Sequence, residues 1–336
     1  MPTIARPVSQ TPPTPDQDGM HFLHPFERDY VRGMKRKERT ELGRILKRPA
    51  TEVTTPLRIL VLKSTLPESV KMQMFHTLRA GASDKYVAWV RKALMLPLQV
   101  VRPPCFLSLP VRQAVQRARD VMDARISGHE EAKREVLKMV CQIKSGGLCA
   151  SAYSIGLEGP PGTGKTHFAR EAMAAALDRP LVSFALGGAT DVSYMLGHGY
   201  TYEGSKEGRL AASLIEARCC NPILFFDEVD KISTTERGAE IVSTLIHLID
   251  PTANTNLRDR FLHGIDLDFS KCTFVFSYND ASSLSPILLD RIKRIRMPAP
   301  SDDERRVITR KHLLPRTQTR LHTTLDLSDE ALDVVL

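Results

Sequence analysis

The stretch Gly159-Pro-Pro-Gly-Thr-Gly-Lys-Thr166 decides the fold of this 336-residue chain. It fits the phosphate-binding pattern G-x-x-x-x-G-K-[ST] at every position, after an apolar run at 153–157 and before an alanine-rich segment at 166–177. A strand, a glycine-rich turn and a helix in this order bring backbone N–H groups together on an anion at the helix N-terminus. The stretch therefore predicts a strand–loop–helix unit that binds the phosphates of a nucleotide.

Each residue type in this loop suits a part of a magnesium-bound triphosphate. Glycines leave room for phosphate oxygens where a Cβ would intrude. Lys165 is expected to neutralise the β- and γ-phosphates, and Thr166 to bind Mg²⁺ through its hydroxyl. The predicted nucleotide-binding residues of the loop are Gly159, Pro160, Pro161, Gly162, Thr163, Gly164, Lys165 and Thr166.

A second apolar run, at 223–226, ends in the two acids Asp227 and Glu228. Asp227 is predicted to bind Mg²⁺ through a water molecule, and Glu228 to polarise the water that attacks the γ-phosphate. Taken alone, an Asp-Glu pair at a strand end is more often solvated. Beside the phosphate-binding loop, the pair favours hydrolysis of the nucleotide.

Two further candidates follow later strands. Asn279 comes after the apolar run at 273–277, where its amide is suited to hold the attacking water, although Asn at a strand end is usually turn chemistry. Arg291 ends a short predicted helix, from which a guanidinium can reach a neighbouring subunit's γ-phosphate. Arg294 and Arg296 are the alternatives for that role.

The apolar runs predict the fold class. Helical segments separate five of them, and strands that alternate with helices form a parallel sheet covered on both faces. We therefore predict an α/β fold with a five-stranded parallel sheet between helices. The predicted strands are 153–158, 180–186, 222–227, 272–278 and 292–297.

Composition excludes several classes of protein. The hydrophobic fraction of 42% is that of a globular chain, and no apolar run approaches the roughly 18 residues of a membrane-spanning helix, so no membrane partner is expected. The six cysteines form no C-x-x-C pair, which indicates free thiols in a reducing compartment. Without a secretory signal pattern, we expect an intracellular protein that is not secreted, in the cytoplasm, with the nucleus or an organelle as alternatives. The chain has a net charge of +8, and its basic segment 32–48 is suited to contact nucleic acid or to act as a nuclear address, although such a run is more often simply solvated.

From about Ala118 to Ser328 the chain resembles the AAA+ ATPase module of the Lon protease family. The resemblance rests on the loop and the acidic strand end together with several shorter elements. These are Ile126-Ser-Gly128-His129, Leu186-Gly-Gly188, Gly197-His198, Thr201-Tyr202, Gly204, Gly208-Arg209, Phe226-Asp-Glu-Val-Asp-Lys231, Asp250-Pro251, Asn254, Leu288-Leu-Asp-Arg291 and His312-Leu-Leu-Pro315.

This resemblance implies a homo-oligomeric ring, usually a hexamer, that hydrolyses ATP with Mg²⁺ and pulls unfolded polypeptide through its pore. It places Gly128 and His129 at the nucleotide and gives Asn279 the sensor-1 role and Arg291 the arginine-finger role. Tyr202 matches the aromatic residue of the first pore loop, and a stiff aromatic ring can hold many sequences. Glu203 departs from the family, which often has an apolar residue there. The resemblance ends before the family's sensor-2 arginine and serine–lysine peptidase domain, and we therefore expect either a fragment of a longer protein or a cut-down relative.

We accordingly expect a flexible basic tail at 1–50, a small helical region at 51–105, an AAA+ ATPase domain at 106–300 and the beginning of a helical lid at 301–336. The function expected is ATP-driven unfolding and translocation of proteins, with the peptidase site outside this chain. Two alternatives stay open. One is an AAA+ ATPase acting on nucleic acid, and the other is an ATP-gated assembly module with little turnover.

Overall fold

The fold was obtained as a computed structural model that describes residues 56–146, 153–188, 191–199 and 205–322. The chain divides into two units, Met1–Ile59 and Leu60–Leu336, and the sheet described next belongs to the second. Predictions for the tail at 1–50, the basic segment 32–48, Tyr202 and the end of the chain after 322 lie outside the described residues.

A five-stranded parallel sheet forms the centre of the molecule, as the apolar runs predicted. Its strands stand in the order β2-β3-β6-β1-β7. They are β1 Tyr153–Glu158, β2 Leu181–Ala185, β3 Ile223–Asp227, β6 Thr273–Tyr278 and β7 Lys293–Arg296. A separate antiparallel pair, β4 Leu257–Arg258 and β5 Asp266–Leu267, was not predicted, because strands of two residues carry no alternation that a sequence can show.

Helices precede, cover and follow the sheet. The first three are α1 Leu57–Lys63, α2 Glu68–Ala80 and α3 Asp84–Leu94. Those of the sheet region are α4 Val111–Arg125, α5 Glu130–Gly146, α6 (Lys165–His167, the π-helical Phe168–Met173 and Ala174–Leu177), α7 Ser193–Leu196, α8 Arg209–Ala217, α9 Glu236–Ile249 and α10 Pro286–Asp290. The last is α11, made of Asp302–Ile308, the π-helical Thr309–Leu313 and Leu314–Leu321. Among the described helices, none is both long and apolar enough to span a membrane.

Both faces of the sheet are buried, which explains why its central strands are continuous apolar runs. Successive side chains of a strand point to opposite faces, so Phe225 joins one core layer and Phe226 the other. Phe225 packs in the layer under α4, α5 and α6, while the rings of Phe184, Phe226 and Phe276 stack on the far face. The ring centroids are 4.6 Å and 5.2 Å apart, and each such pair contributes about 0.5–1.5 kcal/mol beyond its buried area.

The first turn of α11 forms the predicted capping box. The Glu304 N–H donates to Ser301 Oγ at 3.3 Å, and the Ser301 N–H donates to a Glu304 carboxylate oxygen at 2.9 Å. A Cβ built on Gly128 would lie 3.1 Å from Glu304 Oε1. The start of α11 therefore lies directly against the segment that precedes α5. The division of the chain into four regions stays a prediction.

Candidate nucleotide-binding site

The predicted phosphate-binding loop joins β1 to α6 and curves around an open space. Gly162 and Gly164 have φ angles of 81° and 89°, a left-handed conformation that favours glycine. A Cβ built on either residue would have no described atom within 4 Å. In front of the loop lies a cavity of about 400 Å³, which the acidic end of β3 and the end of β6 also line.

The strand order explains why residues distant in sequence meet at this cavity. Strand β6 lies between β3 and β1, and parallel strands place their carboxyl ends at one edge of the sheet. Thr166 Oγ1 donates to Asp227 Oδ2 at 3.1 Å, and the Ser277 hydroxyl donates to Asp227 Oδ1. Thr166 and Asp227, the two predicted metal ligands, are therefore in contact.

Lys165 binds both its own loop and the neighbouring strand end. Its ammonium donates to Gly159 O at 2.5 Å, to Pro160 O at 3.0 Å and to Asn279 Oδ1 at 2.9 Å. Burial lowers the pKa of Lys165, and the nearby carboxylates, Asp230 first, oppose that shift. The Lys165 ammonium thus lies at the cavity and holds the amide that is predicted to position water.

Glu228 occupies a constrained position at the end of β3. Its φ of 57° and ψ of 47° are left-handed, which costs a non-glycine residue about 1–2 kcal/mol. Its carboxylate pairs with the Lys231 ammonium and lies over Gly187, where an added Cβ would be 2.4 Å from Glu228 Oε2. The Glu228 N–H donates to Ser277 Oγ at 3.2 Å. These contacts direct the carboxylate away from the strand and leave it exposed beside the cavity.

Sequence reasoning missed two polar residues of this site. Asp230 accepts the Asn279 N–H through Oδ2 at 3.0 Å, while its Oδ1 is buried without a hydrogen-bond partner in the described part of the chain. Ser277 connects Asp227 to the Glu228 backbone. A hydroxyl within an apolar strand was the one available signal for Ser277. The signal for Asp230 was that it is a third acid in the stretch, after Asp227 and Glu228.

A second cavity, of about 360 Å³, continues the site toward α11. It is lined by residues 125–127 and 129, by the loop residues 162–164 and by α11, where Ile308 and Leu313 are the apolar lining residues. His129 contacts the loop through a hydrogen bond of 2.9 Å between Nε2 and Thr163 O. The structure therefore places His129 against the loop, whereas the predicted Gly128 lies against Glu304 of α11 and is not among the described residues that line this cavity.

Comparisons with known proteins identify this arrangement. The family model "ATPase family associated with various cellular activities (AAA)" matches residues 155–298. A Lon protease homolog of Acanthamoeba polyphaga mimivirus is 39% identical over 204 residues, which cover 60% of this chain and 20% of that protein. The Lon protease of Salinispora arenicola is 32% identical over 256 residues, which cover 74% of this chain and 32% of that protein. The chain contains an AAA+ ATPase module of the Lon protease family.

The Lon protease of Halothermothrix orenii is similar in the same way, with 37% identity over 224 residues, which cover 63% of this chain and 27% of that protein. The matches thus span a fifth to a third of the length of these relatives. They confirm the predicted family and an ATPase module, and AAA modules use ATP. The roles of individual residues in this Lon-type module stay predictions.

Arg291 of the Lon-type module lies apart from the cavity. It follows α10, and its guanidinium pairs with the Asp250 carboxylate. Hydrogen bonds from Thr252 and then from Arg291 hold the pKa of Asp250 well below its usual range. The alternative Arg294 is bound to Glu158 through Nε at 3.0 Å and Nη2 at 2.8 Å. Arg291, the predicted finger, therefore lies directly after a short helix, whereas Arg294 is bound to the end of β1.

Acid is expected to destabilise the Lon-type module partly through His129. Burial lowers the pKa of the His129 imidazole, so the native state binds fewer protons than the unfolded chain near the ordinary pKa of 6.5. The contribution of this group is therefore complete above that pH and is lost as the pH falls through it. Between about pH 7.5 and pH 5.5, His129→Gln should lose less unfolding free energy than the wild type in urea titrations. His76→Gln, an exposed change on α2, is the control, and parallel curves for all three proteins would contradict the prediction.

Proposed function

We propose that this Lon-type module hydrolyses Mg-ATP as part of a homo-oligomeric, hexameric ring that unfolds and translocates polypeptide toward a peptidase site outside this chain. The observation that carries the proposal is the convergence of Lys165, Thr166, Asp227, Glu228 and Asn279 on one cavity. A binding site alone would need the lysine and the glycine loop. The acidic strand end and the amide add the groups that hydrolysis needs.

The oxygen atoms at this edge of the sheet suit a magnesium ion. Mg²⁺ prefers carboxylate, hydroxyl and water oxygens, and Thr166 and Asp227 offer such oxygens in mutual contact. The buried Oδ1 of Asp230, which has no hydrogen-bond partner among the described residues, adds an acceptor for a bound water. A magnesium ion held here would neutralise negative charge on the phosphates. Thr166 and Asp227 are the residues that would hold it.

The contacts of Lys165 indicate how ATP engages the catalytic groups. A phosphate that binds in the loop competes for the Lys165 ammonium, which then releases Asn279 Oδ1. The Asn279 backbone stays fixed by its hydrogen bond to Asp230, so the freed amide points into the cavity. There it can orient a water molecule, from which Glu228 takes the proton as a general base.

Assembly into a ring would give roles to Arg291 and Tyr202, two predicted site residues that are not among the described residues lining this cavity. In this proposal Arg291 leaves Asp250 and approaches the γ-phosphate of a neighbouring subunit, where a planar guanidinium stabilises developing charge. Tyr202 would contact the translocated polypeptide. The names of the relatives as Lon proteases support a polypeptide substrate.

Removing the lysine is expected to weaken nucleotide binding. Lys165→Ala should weaken Mg-ATP binding by about 10- to 100-fold, because charge-assisted hydrogen bonds contribute about 1.5–3 kcal/mol each. Titration of the full chain with a fluorescent ATP analogue measures this, with Lys138→Ala, an exposed change on α5, as the control. Unchanged affinity in Lys165→Ala would contradict the assignment of the loop.

The proposed translocation of polypeptide is tested by measuring how polymers change the rate of ATP hydrolysis. An unfolded polypeptide should increase the rate of ATP hydrolysis by the wild type, whereas double-stranded DNA at several salt concentrations should not. Stimulation by DNA alone would favour the nucleic-acid alternative. Nucleotide-dependent ring formation without phosphate release would favour the assembly alternative. Either result would overturn the proposed translocation.

A further inference from the structure

The two described ends of the stretch that contains Tyr202 come together in a tight neck, formed by residues 195–199 and 205–208. The His198 N–H donates to Lys206 O at 3.4 Å, and Ser205 Oγ donates to Gly199 O at 2.7 Å. A Cβ on Gly208 would lie 2.2 Å from Met195 O, so the two backbone segments approach as closely as glycine permits. The neck fixes where the stretch leaves and rejoins the fold.

A buried carboxylate anchors the neck. Asp259, which is 2% exposed, accepts the Gly208 N–H at 2.8 Å through Oδ2 and the Phe261 and Leu262 N–H groups at 2.9 Å through Oδ1. Burial raises the pKa of Asp259, and these three N–H bonds oppose the shift. The adjacent Arg260 N–H donates to Leu196 O at 2.7 Å. The turn at 259–262 is therefore joined to both sides of the neck.

Helix α3 contacts both the turn at 259–262 and the neck. The Trp89 indole N–H donates to Phe261 O at 2.8 Å, with the Tyr86 ring stacked on the indole at a centroid distance of 5.3 Å. One helical turn later, the Lys92 ammonium donates to Glu207 Oε1 at 2.5 Å. The Glu207 side chain is 12% exposed and that of Lys92 41%, so the ion pair is partly shielded from water. One face of α3 thus contacts the anchoring turn and the neck.

We propose that α3 is a positioning element for the substrate-gripping stretch, with Lys92 and Trp89 acting through Glu207 and Phe261. This inference rests on the proposed function in one respect, namely that Tyr202 grips polypeptide. Glu207 follows Tyr202 by five positions and lies in the neck, so displacing Glu207 displaces the attachment of the stretch. The helical segment before the ATPase sheet therefore controls how firmly substrate is held.

Hydrogen exchange of the full chain tests the mechanical part. Lys92→Glu places two acids face to face, and the amides of 205–208 should then exchange about tenfold faster, as expected for loss of a shielded charge-assisted bond. Lys92→Met removes the charge but keeps the aliphatic stem, and should act in the same direction. The charge swap Lys92→Glu with Glu207→Lys should restore slow exchange. Arg91→Glu, an exposed change of the same charge on the same helix, is the matched control.

The ATPase tests the functional part. In Lys92→Glu, basal hydrolysis should stay unchanged while the polypeptide concentration for half-maximal stimulation rises several-fold, and the swap should reverse that rise. Equal exchange in Lys92→Glu and Arg91→Glu would overturn the positioning role, and so would a swap no better than the single variants. A wild type that no polypeptide stimulates would refute the proposed motor, whereas the exchange result would still decide whether α3 holds the neck.

Discussion

Glu228→Gln is expected to slow ATP hydrolysis by about 10²- to 10⁴-fold, the usual contribution of a positioned general base. Mg-ATP affinity should change little, because Gln keeps the size of Glu and the phosphate contacts come from the loop. The variant should therefore hold ATP without turning it over. The hydrolysis rate is measured as phosphate release under saturating Mg-ATP. The affinity is measured as equilibrium binding of ATP to the same preparation.

The surroundings of Glu228 allow Glu228→Gln to remove the carboxylate without disturbing the fold around it. The left-handed backbone and the absence of a side chain at Gly187 leave space for the head group, and Gln fits the same space. The pair with Lys231 is lost, but that pair lies at an exposed position and contributes little to folding. Glu236→Gln, an exposed change in the first turn of α9, is the control. Hydrolysis by Glu228→Gln within about tenfold of the wild type would show that another group activates the water.

The strands of the sheet could be predicted from the sequence because each of them is marked by its hydrophobic pattern, which is the clearest structural signal in a sequence. Strands buried on both faces must be continuous apolar runs, and all five predicted runs became strands within one or two residues. The polar residues at the strand ends could also be predicted, because they stand out against the apolar runs that precede them. An acid or amide directly after a buried strand, as at Asp227 and Asn279, has few structural explanations next to a phosphate-binding loop.

The remaining parts depend on contacts that no local pattern encodes. Ser277 looks like an ordinary strand residue until the order of strands places β6 beside β3. Asp230 looks like a solvated acid until its contact with the Asn279 backbone is known. The neck and its anchor involve residues 89, 207 and 259, which are distant in sequence and separately unremarkable. Such sites follow from the three-dimensional arrangement of the elements, which neither periodicity nor motif spacing determines.

Gly159→Ala is expected to destabilise the native state by about 3 kcal/mol or more, because a backbone clash cannot be relieved by rotating a side chain. The added Cβ would lie 2.1 Å from Met297 O. Neither atom is free to move. The Gly159 N–H donates to Tyr278 O at 3.3 Å, and the Met297 N–H donates to Glu158 O at 2.7 Å, so the loop begins between the ends of β6 and β7. Relief of the clash requires that these strand ends separate.

Urea denaturation without nucleotide measures this effect and separates it from any effect on ATP binding, since Gly159 also belongs to the phosphate loop. Gly81→Ala is the matched control. Gly81 ends α2 with a φ of 97°, and a Cβ there meets no described atom within 4 Å. That variant should lose only the roughly 1 kcal/mol of left-handed strain. Similar losses for the two variants would mean that the start of the loop can shift away from β7, and the loop would then be less rigidly attached to the sheet than its contacts indicate.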